Sequence, residues 1–242
     1  MSDFIEIGGI KLECAWFGDA PESAPTLVLL HEGLGSVSIW RDFPEALAHA
    51  TGTRVFAYSR AGYGKSDLVS LPRPLDFMQR EAKEVLPALL DKIGFRRGIL
   101  VGHSDGGTIA AAYAGSVQDH RVRGLVLIEP HFFVEELNLN MIRKVTAEYE
   151  TSGLREKLAR QHRDPDNTFR GWSGAWLDPG FRRVMDLHAE LTHIRVPVLI
   201  VKGEHDPYAS MEQVHFAERE CYCPVDHVVI EGAAHAPHRE EP

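Results

Sequence analysis

The chain has 242 residues, 44% of them hydrophobic, enough to bury a substantial core in one α/β domain or two small ones. Its 26 basic and 35 acidic side chains leave a formal charge of -9, with both signs mixed along the chain. That balance argues against nucleic acid and anionic membrane surfaces as partners.

Three cysteines, Cys14, Cys221 and Cys223, make neither a disulfide framework nor a zinc-finger spacing, and reduced thiols of a cytoplasmic protein are expected. The opening stretch "MSDFIEIGGIKLECAWFG" carries acids where a secretion leader needs bases. No run approaches the ~20 apolar residues of a membrane span. A soluble protein without membrane contact is therefore expected.

In chain order, "IKLECAWFG" (10–18) alternates like a half-buried strand, and "TLVLLHEG" (26–33) is a continuous apolar run, the mark of a strand buried on both faces. "DFPEALAHAT" follows with a helical period, and "TRVFAYSRAGYG" (53–64) returns to strand. "DFMQREAKEVLPALLDKIG" reads as a helix ending at Gly94, with a kink or break expected at Pro87. Further strands are expected in "GILVGHS" (98–104), "VRGLVLIEP" (122–130), "VPVLIVKGEHD" (196–206) and "DHVVIEGAAH" (226–235). Strands alternating with helices predict an α/β fold, a mainly parallel, doubly wound sheet with ligands at the C-terminal edge of its strands.

Residues 131–193 break the rhythm, being helical in pieces and without a convincing strand. They are expected to form a helical cap inserted into a core made of 1–130 and 194–242. The final "HAPHREEP" comes where one more helix is expected to cover the last strand.

The chemistry concentrates in "GHSDGG" (102–107). A strand turning sharply into a helix strains the turn residue and needs small neighbours, which Gly102 and Gly106 supply around Ser104. The amide of Asp105 would then stand at a helix N-terminus, where an oxyanion is favoured. A serine hydroxyl needs a general base, and the base needs a carboxylate. Asp206 and His235 each follow a predicted strand, so both would reach the same edge as Ser104, in the order Ser, Asp, His.

Together, "HEGLGS", "YSRAGYGKSD", "GHSDGG", "GEHDPY" and "GAAHAPH" resemble the successive signatures of the α/β-hydrolase fold family, over nearly the whole chain. The resemblance implies Ser104 as nucleophile, His235 as general acid/base and Asp206 as orienting acid. It also implies an oxyanion hole from Gly33 or Leu34 together with Asp105. Glu32 replaces the glycine that more often follows His31 in that loop, and its carboxylate is expected to turn away and pair elsewhere. Glu129, at the end of an earlier strand where some members hold their acid, is the competitor to Asp206.

His103, beside the serine, is expected to be structural and His31 to organise its loop; His205 and His238 are the less favoured bases. The histidines make no H-E-x-x-H pattern, and neither metal nor cofactor is expected. Phe132, Phe133, Trp172 and Trp176 are expected to line the substrate pocket under the cap. The implied activity is acyl transfer to water on a small or medium apolar ester. Carbon–carbon bond hydrolysis of ring-cleavage products and lactone hydrolysis are the alternatives, and from another class a non-catalytic receptor.

Overall fold

The computed structural model describes residues 3–241. The chain opens with a hairpin, β1 (Asp3–Ile7) and β2 (Ile10–Phe17). Gly8 and Gly9, both at positive φ, make its two-residue turn, as the twist of a tight hairpin demands. Strand β3 (Thr26–Leu30) leads through a short 3-10 turn to α1 (Phe43–Thr51) and β4 (Arg54–Tyr58). The expected helix around Pro87 runs as α2 (Phe77–Arg80), a π turn (Glu81–Val85) and α3 (Leu86–Lys92). Proline sits at the start of α3, where its missing N–H costs least.

Strand β5 (Gly98–His103) feeds α4 (Asp105–Ser116), and β6 (Val122–Ile128) ends the first half. The strand-free segment carries α5 (Glu136–Glu148), α6 (Leu154–Ala159), α7 (Pro165–Trp176), α8 (Phe181–Val184) and α9 (His188–His193). The remainder is β7 (Val198–Gly203), α10 (Glu212–Glu220), β8 (Val225–Ile230) and α11 (Pro237–Glu240).

Among the described residues eight strands form one sheet in the order β1-β2-β4-β3-β5-β6-β7-β8. Only β2 runs against its neighbours; the six strands from β4 to β8 are parallel. The sheet is thus mainly parallel with helices packed on it, as the sequence predicts. After β3 the chain winds one way to β4, and after β4 it returns to place β5 on the other side of β3. The loops leaving β3 and β5 therefore flank the crevice where a doubly wound sheet binds ligands.

Helix α4 is buried along nearly its whole length between the sheet and α9. That environment explains its Ala-Gly composition: a Cβ on Gly115 would lie 2.2 Å from the carbonyl oxygen of Glu190. On the opposite face, α1 closes a smaller core of Leu27, Leu29, Trp40, Val55 and Val101. Strand β8 stays open, with Val228 and Val229 exposed. No helix among the described residues is long and apolar enough to cross a membrane.

Candidate active site

Ser104 is the hinge between β5 and α4, at φ 52° and ψ -118°. A non-glycine residue is held in this region only when its surroundings dictate it. They do: its amide donates to the Ile128 carbonyl at 2.8 Å and its own carbonyl accepts from Thr108 N at 3.0 Å. The turn is also too crowded for side chains. A Cβ on Gly102 would lie 2.3 Å from the Gly106 oxygen, and one on Gly106 would lie 2.0 Å from the Leu30 oxygen. The strain is local and the glycines permit it.

Asp206 and His235 follow β7 and β8 and meet at this edge. His235 Nδ1 donates to Asp206 Oδ1 at 2.8 Å. Burial alone would raise the Asp206 carboxyl, but its bond to His235 and the nearby His235 and Lys202 charges hold it well below the usual carboxylate range. Burial lowers His235, and Asp206 opposes that shift without cancelling it. Asp206 Oδ1 also accepts from the Tyr208 amide at 2.9 Å. Among the described residues no hydrogen bond joins Ser104 to His235; both line one cavity of about 80 Å³.

Gly33, Leu34 and Asp105 line that cavity too. Among the described residues their amides donate to no protein acceptor, which leaves them available to a developing oxyanion. The β3 loop is shaped from behind by Arg60, whose buried guanidinium donates to the carbonyls of His31 and Glu32. His31 is buried and bridges the Glu32 carbonyl (2.7 Å) and the Arg60 amide (3.1 Å), an organising part rather than a chemical one. Trp172 closes on Gly33 so tightly that a Cβ there would lie 2.2 Å from its Nε1.

Glu32 does pair elsewhere, 3.5 Å from His103 Nδ1, yet it still lines the cavity. Its burial would raise its pKa, but His103 outweighs that and holds the carboxyl low. His103 is itself buried and hydrogen-bonded to the His235 carbonyl oxygen at 2.6 Å. Of the less favoured bases, His205 stands out at the surface beside Glu204. His238 packs on His103 and Trp40, with its pKa pushed down to about 3 by burial.

Of the expected pocket aromatics, Trp172 and Trp176 line the cavity. Phe132 and Phe133 do not: Phe132 is wholly buried in the core and Phe133 packs edge-on against Phe216, 5.0 Å away. Both follow β6 and pack into the main core, Phe132 within it and Phe133 against it. The remaining walls are Ile142, Asn138, His131 and Tyr208. Asp105 hangs beneath, accepting from Trp176 Nε1 at 3.2 Å, with burial raising it to about 6. Larger hollows, one at the N-terminal ends of β6 and β7 and one beside Trp40 and His238, contain neither Ser104 nor His235.

Among the described residues one group of carboxylates and histidine is close enough to hold a metal: Glu129, Asp206 and His235. The Lys202 ammonium already donates to two of the three, at 2.7 and 3.1 Å.

The sequence model of the alpha/beta hydrolase family matches residues 27–242. The chain belongs to that family. Among characterised proteins, it is 31% identical over 160 residues to the dihydrolipoyllysine-residue acetyltransferase component of an acetoin cleaving system from Pseudomonas putida. That match takes in 66% of this chain and 41% of the relative. It is 29% identical over 235 residues to a 2-hydroxy-6-oxononadienedioate/2-hydroxy-6-oxononatrienedioate hydrolase from Paraburkholderia phymatum, 85% of this chain and 78% of that one. The chain thus spans less than half of the first relative and about three quarters of the second. The crystal structure of an enol-lactonase from Burkholderia xenovorans superposes with a TM-score of 0.75 at 21% identity, over 98% of this chain and 94% of that one. At that identity the likeness establishes the fold.

Several residues of this alpha/beta hydrolase that shape its candidate site carry no local signal. Arg60 reaches carbonyls 28 and 29 positions away, and Lys202 a carboxylate 73 away. Asn138 and Ile142 are four apart on α5, so a shared face was legible, but not what that face covers.

Proposed function

We propose that the chain is a serine hydrolase that cleaves a carboxylic ester or related acyl bond of a small substrate. Ser104 attacks the carbonyl, His235 takes its proton, and Asp206 holds the tautomer with Nδ1 protonated and Nε2 free for the serine. The amide of Asp105 and that of Gly33 or Leu34 receive the oxyanion. Water activated by His235 then releases the acid and restores the serine.

The observation that carries this reading is the strained Ser104 sharing a cavity with a histidine whose Nδ1 is tied to a buried aspartate at 2.8 Å. We read residues 131–193 as the cap, on the strength of α5 and α7, which supply Asn138, Ile142, Trp172 and Trp176 to that cavity. The small cavity favours a short acyl group. Carbon–carbon bond hydrolysis is the second reading, favoured by the relative of that reaction class that aligns over 85% of the chain.

A panel of esters, lactones, thioesters and vinylogous diketones separates these chemistries. Short-chain esters are expected to turn over, and Ser104→Ala to abolish that turnover with the melting temperature unchanged. Turnover of the diketones alone would move the assignment to the second reading. Retained ester activity in folded Ser104→Ala would remove the nucleophile.

A further inference from the structure

Two carboxylates, not one, lie behind His235. Glu129 ends β6 at φ 48° and its side chain is fully buried, as is that of Asp206. Left alone at this range, buried carboxylates repel or share a proton. A shared proton would draw Asp206 toward Glu129 and compete with its bond to His235.

An ammonium is set against that competition. Lys202, whose side chain is only 5% exposed, projects from β7 between the two acids. Its Nζ donates to Glu129 Oε2 at 2.7 Å and to Asp206 Oδ2 at 3.1 Å. The other Glu129 oxygen accepts from the Gly203 amide, and the other Asp206 oxygen takes the Tyr208 amide and His235. Every carboxylate oxygen has a donor, the two facing oxygens sharing the Lys202 ammonium. Burial, then the hydrogen bond to Asp206 and its charge, push Glu129 up, and that same bond helps hold Asp206 down, so the two acids are unequal.

We propose that Lys202 is a positioning residue: its ammonium occupies the facing oxygens of Glu129 and Asp206, so that Asp206 presents an ionised Oδ1 to His235. This rests on reading His235 as the general base. The ammonium also opposes the imidazolium form of His235. Removing it while Glu129 is kept from sharing a proton with Asp206 must therefore raise the pKa of His235, and the acid limb of activity, which needs the neutral ring, moves to higher pH.

His235 is also faced by His103 at the end of β5, His131 after β6, Glu32 in the β3 loop, Tyr208 after β7 and His238 on α11. These stay in place in every variant below, so differences between variants report the ammonium and Glu129.

The test is an NMR titration of the His235 ring in the full chain, with the resonance assigned by its loss in His235→Gln. The double variant Glu129→Gln/Lys202→Met, which leaves no second acid to share a proton with Asp206, should raise the midpoint by roughly one pH unit, and Lys202→Met, which leaves Glu129 to share one, should raise it less. Glu129→Gln alone, which keeps the ammonium, should not raise it. The double variant retains a single buried carboxylate and tests the same point should Lys202→Met fail to fold. An unmoved midpoint in the folded variants without the ammonium, or an equal rise in Glu129→Gln, overturns the proposal. Failure of both ammonium-less variants to fold overturns it too, by making Lys202 structural. The titration needs no turnover, so an inactive parent protein would count against the hydrolase reading and leave this result legible.

Discussion

At the sheet edge, the groups proposed to do chemistry are fixed by backbone. Ser104 sits where β5 must become α4, and the amides of Gly33 and Asp105 point where their loops leave β3 and β5. The helices proposed as the cap are fastened differently, by one backbone bond from the Arg163 amide to the Gly64 carbonyl and otherwise largely by side chains reaching to the core. His162 accepts from the Gly64 amide and donates to the Leu34 carbonyl, Thr168 donates to the Gly62 carbonyl, and Asn167 donates to the Val69 carbonyl. Substitutions at the edge should therefore disturb the site as a unit. Substitutions in the roof should change one contact at a time.

The largest effect is expected where edge geometry meets charge. Asp206→Asn would leave the fold intact but offer His235 the wrong partner, and turnover should fall by about 10⁴. Steady-state kinetics on the best ester would show it. If Asp206→Asn is nearly silent while Glu129→Gln is crippling, the orienting acid lies on β6.

Next comes a backbone test. Gly106→Ala places a Cβ 2.0 Å from the Leu30 oxygen, a main-chain atom of the central strand that has nowhere to go. Thermal or denaturant unfolding should register a loss of about 3 kcal/mol, with activity lost alongside. A stable, active Gly106→Ala would mean that the elbow is looser than its contacts imply.

The smallest effect belongs to the roof. Trp172→Phe keeps an aromatic side chain but opens space beside Gly33. The preference between adjacent acyl chain lengths should shift by roughly ten-fold toward the longer ester. The reactivity of Ser104 toward a small acylating agent should hold. An unchanged ranking would make α7 packing alone and would remove the contrast drawn here.

This contrast also explains what could be read in advance. The parallel strands are legible because strands buried on both faces leave continuous apolar runs, and the elbow because its glycines bracket Ser104 in sequence, although the clash that dictates Gly106 is with Leu30 on β3. Hairpin strand β1 is absent from the expected strands: it is short and mostly exposed, so its alternation up to Gly8–Gly9 is a weak pattern. Phe132 and Phe133 looked like pocket residues because aromatic content says nothing of direction; only the turn out of β6 decides that they face the core. Lys202 carries no signal of its own in the apolar run of β7. Its position between two acids depends on pairing β7 with β6, which no local pattern encodes.

The central claim is that Ser104 is an activated nucleophile, and covalent labelling tests it without knowledge of the substrate. The intact protein, treated with a fluorophosphonate near neutral pH, is expected to gain one adduct that peptide mass spectrometry maps to Ser104. His235→Gln should lose that adduct while remaining folded. No adduct, or one on another residue that persists in Ser104→Ala, would contradict the account.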